Sequence, residues 1–154
     1  MMTKLQIKLI RALLSKYGTT QINVSGNSMQ PTLFNGDVVT VKQENVYKDG
    51  DIIVFEYKNE LIIHRLLSQN QYICLCKGDN SFKVEDIDFS QILGRVVDDG
   101  KRPLPCFNKE LIDLSLELNF IYRKNCYNAQ AVIKSDIYKK YKMLLINLCS
   151  NTCK

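Results

Sequence analysis

Residues 50–67 read GDIIVFEYKNELIIHRLL, and this stretch decides the fold. Ile52 to Tyr57 and Leu61 to Leu67 are runs rich in β-branched and aromatic residues, which favour a pleated, half-buried surface. Between them Lys58–Asn59–Glu60 supplies turn chemistry. Two apolar runs this close together form an antiparallel hairpin. Outward from it the same pattern repeats at Thr20 to Val24, Val38 to Val41, Tyr72 to Cys76 and Ile92 to Val97. Turn signals separate these runs at Asn35–Gly36–Asp37, Lys48–Asp49–Gly50–Asp51 and Lys77–Gly78–Asp79–Asn80. Many short strands without intervening helices predict a mainly β domain, antiparallel and barrel-like.

Helices flank this domain. Thr3 to Tyr17 has leucines and isoleucines at helical spacing, with Thr3 and Gln6 as a capping box and Gly18 as the stop. Docking of this amphipathic helix on its own domain is the plain expectation; contact with a membrane surface through its basic residues is the alternative. Asp98–Asp99–Gly100, Pro103 and Pro105 mark a boundary. Beyond it, Asn108 to Lys124 and Ala129 to Cys149 read as mainly helical. In the first of these, Ile112, Leu114, Leu116, Leu118 and Phe120 alternate as a strand would, but length and the helix preference of Leu and Glu decide for helix. The expected divisions are a helix over 1–18, a β domain over 19–100 and a helical extension over 101–154.

Bulk properties exclude more than they assign. The chain has 154 residues, 45% hydrophobic and 24% charged, which suits one folded domain with an accessory element. A net charge of +5 is mild, and its cations gather near both ends. A solvated face explains them without a nucleic-acid partner. No apolar run is long enough to span a bilayer, and no signal peptide is recognisable. The six cysteines show no C-x-x-C spacing, and the single histidine cannot support a mixed metal cluster. Reduced thiols in a cytoplasmic setting and no cofactor or metal are expected. Cys74 and Cys76, two apart, face one side of a strand as small hydrophobes.

The chemistry-bearing segment is Ser25–Gly26–Asn27–Ser28–Met29–Gln30–Pro31–Thr32–Leu33. A serine after a glycine turn and shortly before proline is held in a fixed loop. Such a loop exposes a hydroxyl and aims backbone N–H groups, as a nucleophile beside an oxyanion hole requires. The segment resembles the nucleophile box of the type I signal peptidases and their LexA-type repressor relatives. Gly36–Asp37, then Gly50–Asp51–Ile52–Ile53–Val54–Phe55, resemble the following boxes in order. Ile62–Ile63–His64–Arg65–Leu66 stands where many members have a lysine base; histidine followed by arginine is similar to the endoplasmic-reticulum-type signal peptidases. Lys77–Gly78–Asp79–Asn80 and Gly94–Arg95–Val96 resemble the remaining boxes. The resemblance covers about residues 20 to 97.

It implies a serine endopeptidase with Ser28 as nucleophile and His64 as general base, acting on an extended peptide with small residues at the cut. Histidine's ordinary pKa near 6.5 suits a base at neutral pH. For the group that orients the imidazole, the resemblance favours Asp86, although one extra residue intervenes; Asp79 and Asp88 are rivals, and Asp79 has the alternative of bracing its turn. Gly26 occupies a position where some members carry a second, hydroxyl oxyanion donor, leaving the Ser28 N–H as the expected donor. Three uses are open: a soluble or peripheral peptidase that trims a leader from a dedicated peptide, a membrane-associated signal peptidase, or a regulatory binding module. The short segment before the β domain leaves no room for a three-helix DNA reader.

Overall fold

In the computed structural model, residues 4–100 and 103–152 are described. The elements run α1 (Lys4–Tyr17), β1 (Thr19–Asn23), β2 (Val38–Lys42), β3 (Ile52–Tyr57), β4 (Glu60–Gln69), β5 (Cys74–Lys77) and β6 (Val84–Ile87). A 3-10 turn (Phe89–Gln91), β7 (Ile92–Val97) and the helices α2 (Lys109–Lys124), α3 (Ala129–Ile133) and α4 (Asp136–Thr152) follow. The strands form one antiparallel sheet in the order β1-β2-β7-β3-β4-β5-β6. The architecture is the expected mainly β one, with a helix before the sheet and helices after it.

The founding hairpin forms as read. Tyr57 pairs with Glu60 across a two-residue loop, and both loop residues, Lys58 and Asn59, have positive φ. Such loops match the right-handed twist of the strands they join. Only residues 70–73 separate β4 from β5, and across that turn Arg65 pairs with Lys77 and Leu66 with Cys76. Cys74 and Cys76 are both fully buried on one face, with Ile53, Phe55, Leu66 and Ile87. The opposite face buries Val41, Ile52, Val54 and Val96 beneath α1, which contributes Ile7, Ile10 and Leu14. Helix α1 therefore docks on the sheet, while Leu5 and Leu9 on its other side stay exposed. The Thr3 cap, Cys153 and Lys154 lie outside the described residues.

One strand forms that was not expected, one expected helix forms as read, and another divides in two. Strand β6 is not among the strands expected from the sequence, since Glu and Asp are poor strand formers; its pairing with β5 overrides that preference. The alternating segment after Asn108 is helix α2, capped by the Asn108 side chain on the Leu111 N–H at 3.0 Å. Its buried residues Leu111, Leu114, Ser115 and Leu118 repeat at helical spacing. The last helix divides at Lys134–Ser135 into α3 and α4, with the Ser135 hydroxyl accepting from the Tyr138 N–H at 3.1 Å. Among the described residues, no helix is long and apolar enough to cross a membrane.

Gly94 of β7 pairs with Val54 where the ladder has a bulge, and a methyl group there would stand 2.6 Å from the Lys42 carbonyl. That neighbour is backbone and cannot step aside. Gly94→Ala is therefore expected to lower unfolding stability by about 1–3 kcal/mol, measured as a shift in urea midpoint at unchanged slope.

Candidate active site

The serine loop leaves β1 at Asn23 and returns to β2 at Val38. Its ends are tied by Val24 N–H to Asp37 O at 2.8 Å and Gly36 N–H to Val24 O at 2.9 Å. Met29 and Leu33 plug into the core under α1, which fixes the segment between them. Gly26 has φ +85, a left-handed conformation that glycine adopts without steric cost, and its N–H donates to Asn35 Oδ1 at 3.0 Å. Ser28 is thus presented from a loop pinned on both sides.

His64 comes from the middle of β4 and is 7% exposed. Its Nε2 lies 3.1 Å from Ser28 Oγ, and its Nδ1 lies 2.9 Å from Glu85 Oε2. A carboxylate only accepts hydrogen bonds, so Nδ1 carries the ring proton and Nε2 presents its lone pair to the serine hydroxyl. The Phe55 ring stands edge-on to the imidazole at 6.2 Å and limits its rotation. The three side chains form a Ser–His–Glu relay.

The structure brings Ser28 and His64 together, as expected, and sets Glu85 rather than Asp86 against the imidazole. Asp86 is exposed and pairs across the ladder with Leu75. Glu85 pairs with Cys76, which pairs with Leu66, two residues from His64. Side chains alternate along strands, so His64, Leu66, Cys76 and Glu85 share one face while Asp86 points to the other. A one-residue choice within Val84–Ile87 therefore decides which acid reaches the ring. Reading Val84–Ile87 as a strand opposite Cys74–Cys76 would have revealed it. Asp88 is the third candidate, and its carboxylate caps the 3-10 turn by accepting from the Ser90 N–H at 2.8 Å.

Asp79 braces, as its alternative reading held, but through an ion pair. It is 1% exposed, and its Oδ2 lies 2.7 Å from Arg65 Nη2 while Oδ1 accepts from Arg65 Nε at 3.2 Å. Thr32 Oγ1 donates to the same carboxylate at 2.6 Å, joining the serine loop to it. Arg65 also donates to Gly50 O at 2.9 Å and Pro105 O at 3.0 Å, and its guanidinium lies over the Phe107 ring at 3.9 Å. Arg65 follows His64 in β4, so the imidazole faces the serine and the next residue locks the strand from behind.

Gly78 is the tightest point. A Cβ there would stand 2.6 Å from Ser28 O and 2.9 Å from His64 Nε2, so only glycine admits the serine–histidine contact. The Asn80 N–H donates to Ser28 O at 2.7 Å and the Asn80 amide to Asn27 O at 3.3 Å, tying this turn to the peptide of Ser28.

A cleft of about 460 Å³ opens beside Ser28 and His64. One wall is Asn23 to Gly26 with Met29, the other is Glu60 to Ile63, and Gln6 of α1 lies at the margin. Pairing of β4 with β5 begins only at Arg65, so Glu60 to His64 has β3 on one side and the cleft on the other. Among the described residues, no cluster of three or more His, Cys, Asp or Glu side chains is arranged to hold a metal ion.

Lys77 was not singled out from the sequence. It is fully buried, and its Nζ donates to Gly78 O and Ser81 O, each at 2.9 Å. Burial lowers its pKa from 10.5 to about 8, against the opposing pull of Asp79. The unfolded chain then binds a proton that the folded chain has released between pH 8 and 10.5, so this residue adds stability as pH rises through that window. Urea unfolding at pH 7.5 and pH 10 is expected to show wild type gaining on Lys77→Met by roughly 1 kcal/mol or more; an equal gap at both pH values contradicts the assignment.

Residues 3–97 match the Peptidase S24-like family. LexA repressors from Clostridium perfringens (strain ATCC 13124) and Clostridium botulinum (strain Hall) are each 31% identical over 77 residues. The LexA repressor of Caldicellulosiruptor saccharolyticus is 29% identical over the same length. These alignments cover 49% of this chain and 38% of each relative, so the chain spans well under half the length of the curated proteins it matches. The relatives are LexA repressors, not signal peptidases, so the resemblance holds at the level shared by both groups. A seven-stranded antiparallel sheet that carries this serine loop, matched along more than half of its chain, makes the protein a member of the Peptidase S24-like family.

Proposed function

We propose that the protein is a serine endopeptidase that cuts an extended peptide, with Ser28 as nucleophile, His64 as general base and Glu85 as the group that orients the imidazole. The observation carrying this reading is the unbroken relay from Ser28 Oγ through His64 to Glu85 Oε2, at 3.1 and 2.9 Å, on the floor of a cleft. Serine needs a base within hydrogen-bond reach to act as a nucleophile, and an ion paired with the imidazole favours the charged ring formed when the proton arrives.

A substrate strand fits between the unpaired edge of Glu60 to His64 and the segment Asn23 to Gly26, using main-chain pairing for affinity and pockets for specificity. Val24, Met29 and Ile63 make the walls near Ser28 apolar. As Ser28 Oγ attacks the scissile carbonyl, its proton passes to His64 Nε2. The carbonyl oxygen gains negative charge, for which the Ser28 N–H is the proposed donor. Collapse breaks the C–N bond, and His64 returns the proton to the departing amine. Water, deprotonated by His64, then releases the acyl group from Ser28. Removal of a leader or signal segment, by a soluble or peripherally bound enzyme, is the preferred use.

A second reading, a repressor-type regulatory role for the same domain, draws its support from the relatives, which are named LexA repressors. Proteolysis of a peptide library separates the two. Wild type is expected to cleave, and Ser28→Ala and His64→Ala to abolish cleavage. Glu85→Gln should lower kcat by about 10³–10⁴-fold by spoiling the ring's orientation, while Asp86→Asn leaves it within twofold. Cleavage that survives Ser28→Ala sinks the mechanism; peptide binding without cleavage by wild type favours the regulatory role.

A further inference from the structure

Helix α4 lies outside the matched residues 3–97, yet it reaches the turn that touches the nucleophile. The Tyr141 hydroxyl donates to the Asp79 carbonyl at 2.8 Å, and Tyr141 is 1% exposed. One residue on, Lys142 Nζ donates to Asn80 Oδ1 at 3.2 Å. From the end of β5, Lys77 Nζ lies 4.9 Å from the centre of the Tyr141 ring while it donates to Gly78 O and Ser81 O. The turn in turn holds the Ser28 and Asn27 carbonyls through Asn80. A continuous set of hydrogen bonds therefore runs from α4, across Asp79 and Asn80, to the peptide of the proposed nucleophile.

We infer that α4 positions this site, with Tyr141 as the positioning residue and Lys142 as a second hold on the Gly78–Ser81 turn. The catalytic part of the inference rests on the peptidase reading above; the mechanical part does not. Burial, aided by the nearby Asp79 charge, raises the pKa of the Tyr141 hydroxyl, which keeps it a donor at neutral pH. Removing that donor leaves the Asp79 carbonyl unpaired in a buried place and frees the turn to shift. Gly78 already lies at the limit of approach to Ser28 O and His64 Nε2, so a small shift there alters the serine–histidine distance directly. Misplacement on the order of 1 Å costs a reaction about 100-fold.

Tyr141→Phe removes one oxygen and keeps the ring. Three readings follow it: steady-state kinetics on a cleaved peptide, hydrogen exchange of the Asn80 amide, and the imidazole resonances. His64 is the only histidine, so its ring signals report the site without turnover. The expected result is a tenfold or greater fall in kcat with KM within twofold. Asn80 exchange should accelerate at least tenfold, and the imidazole signals should shift or broaden. Tyr138→Phe, on the same helix and against Phe82, should leave all three as in wild type. Where Tyr141→Phe does not fold, Lys142→Ala carries the same readings from a half-buried position, with a smaller expected effect of about threefold. Wild-type Asn80 exchange and unchanged imidazole signals in the folded variant overturn the inference, whatever the kinetics. Altered exchange and signals in a protein whose wild type cleaves nothing overturn the peptidase reading and keep α4 as the brace of the turn.

Discussion

The buried ion pair between Arg65 and Asp79 is the constraint on which the site's geometry depends. It joins the middle of β4 to the turn after β5, draws in Thr32 from the serine loop, and reaches Gly50 and Pro105 through the remaining guanidinium donors. Taking two such charges out of water is costly, and the cost is offset only when every donor finds a partner. Here the five acceptor atoms lie on four residues, Thr32, Gly50, Asp79 and Pro105, far apart in sequence, so the pair holds their segments at one point. Removing either partner leaves an uncompensated buried charge, at about 3–5 kcal/mol. The pair contributes less as net stability than as a fixed meeting place for four segments of chain.

Strand alternation converts that meeting place into a site. His64 and Arg65 are neighbours on β4 and so point to opposite faces. One face carries His64, Leu66, Cys76 and Glu85; the other carries Arg65 and its ladder partner Lys77. The proposed chemistry and its brace thus occupy two sides of the same strands, within a residue of each other. Gly78 closes the gap between them, because a larger residue would displace Ser28. The sheet sets the height of the imidazole, and the turn sets the distance of the serine from it.

The C-terminal helices share in this arrangement. Phe107 stacks on Arg65, Asn119 Oδ1 accepts from the Val84 N–H at 3.2 Å next to Glu85, and Tyr141 holds the Asp79 carbonyl. Their own core, built on Leu111, Leu118, Val132 and Leu145, gives these contacts a rigid base. Phe107, just before α2, and two helical residues therefore touch Arg65, the Val84 backbone and the Asp79 turn. The family match ends at residue 97, before all of them.

Much was legible in the sequence because the signals were local. Turn residues and β-branched runs mark the strands of the hairpin, and helical periodicity with Gly18 marks α1. The Ser25–Leu33 box and the single histidine named the serine and its partner through resemblance to a family. What the sequence by itself could not decide was relative position. Glu85 and Asp86 are adjacent acids of nearly equal chemistry, and only the β5–β6 register selects which one faces His64. Val84 to Ile87 is a strand because β5 is beside it, not because its residues favour one. Asp79, Lys77 and Tyr141 look like ordinary turn, surface and helix residues until the tertiary fold buries them together. Local propensity is written within a few residues, whereas burial, register and charge pairing exist only between segments that folding has brought into contact.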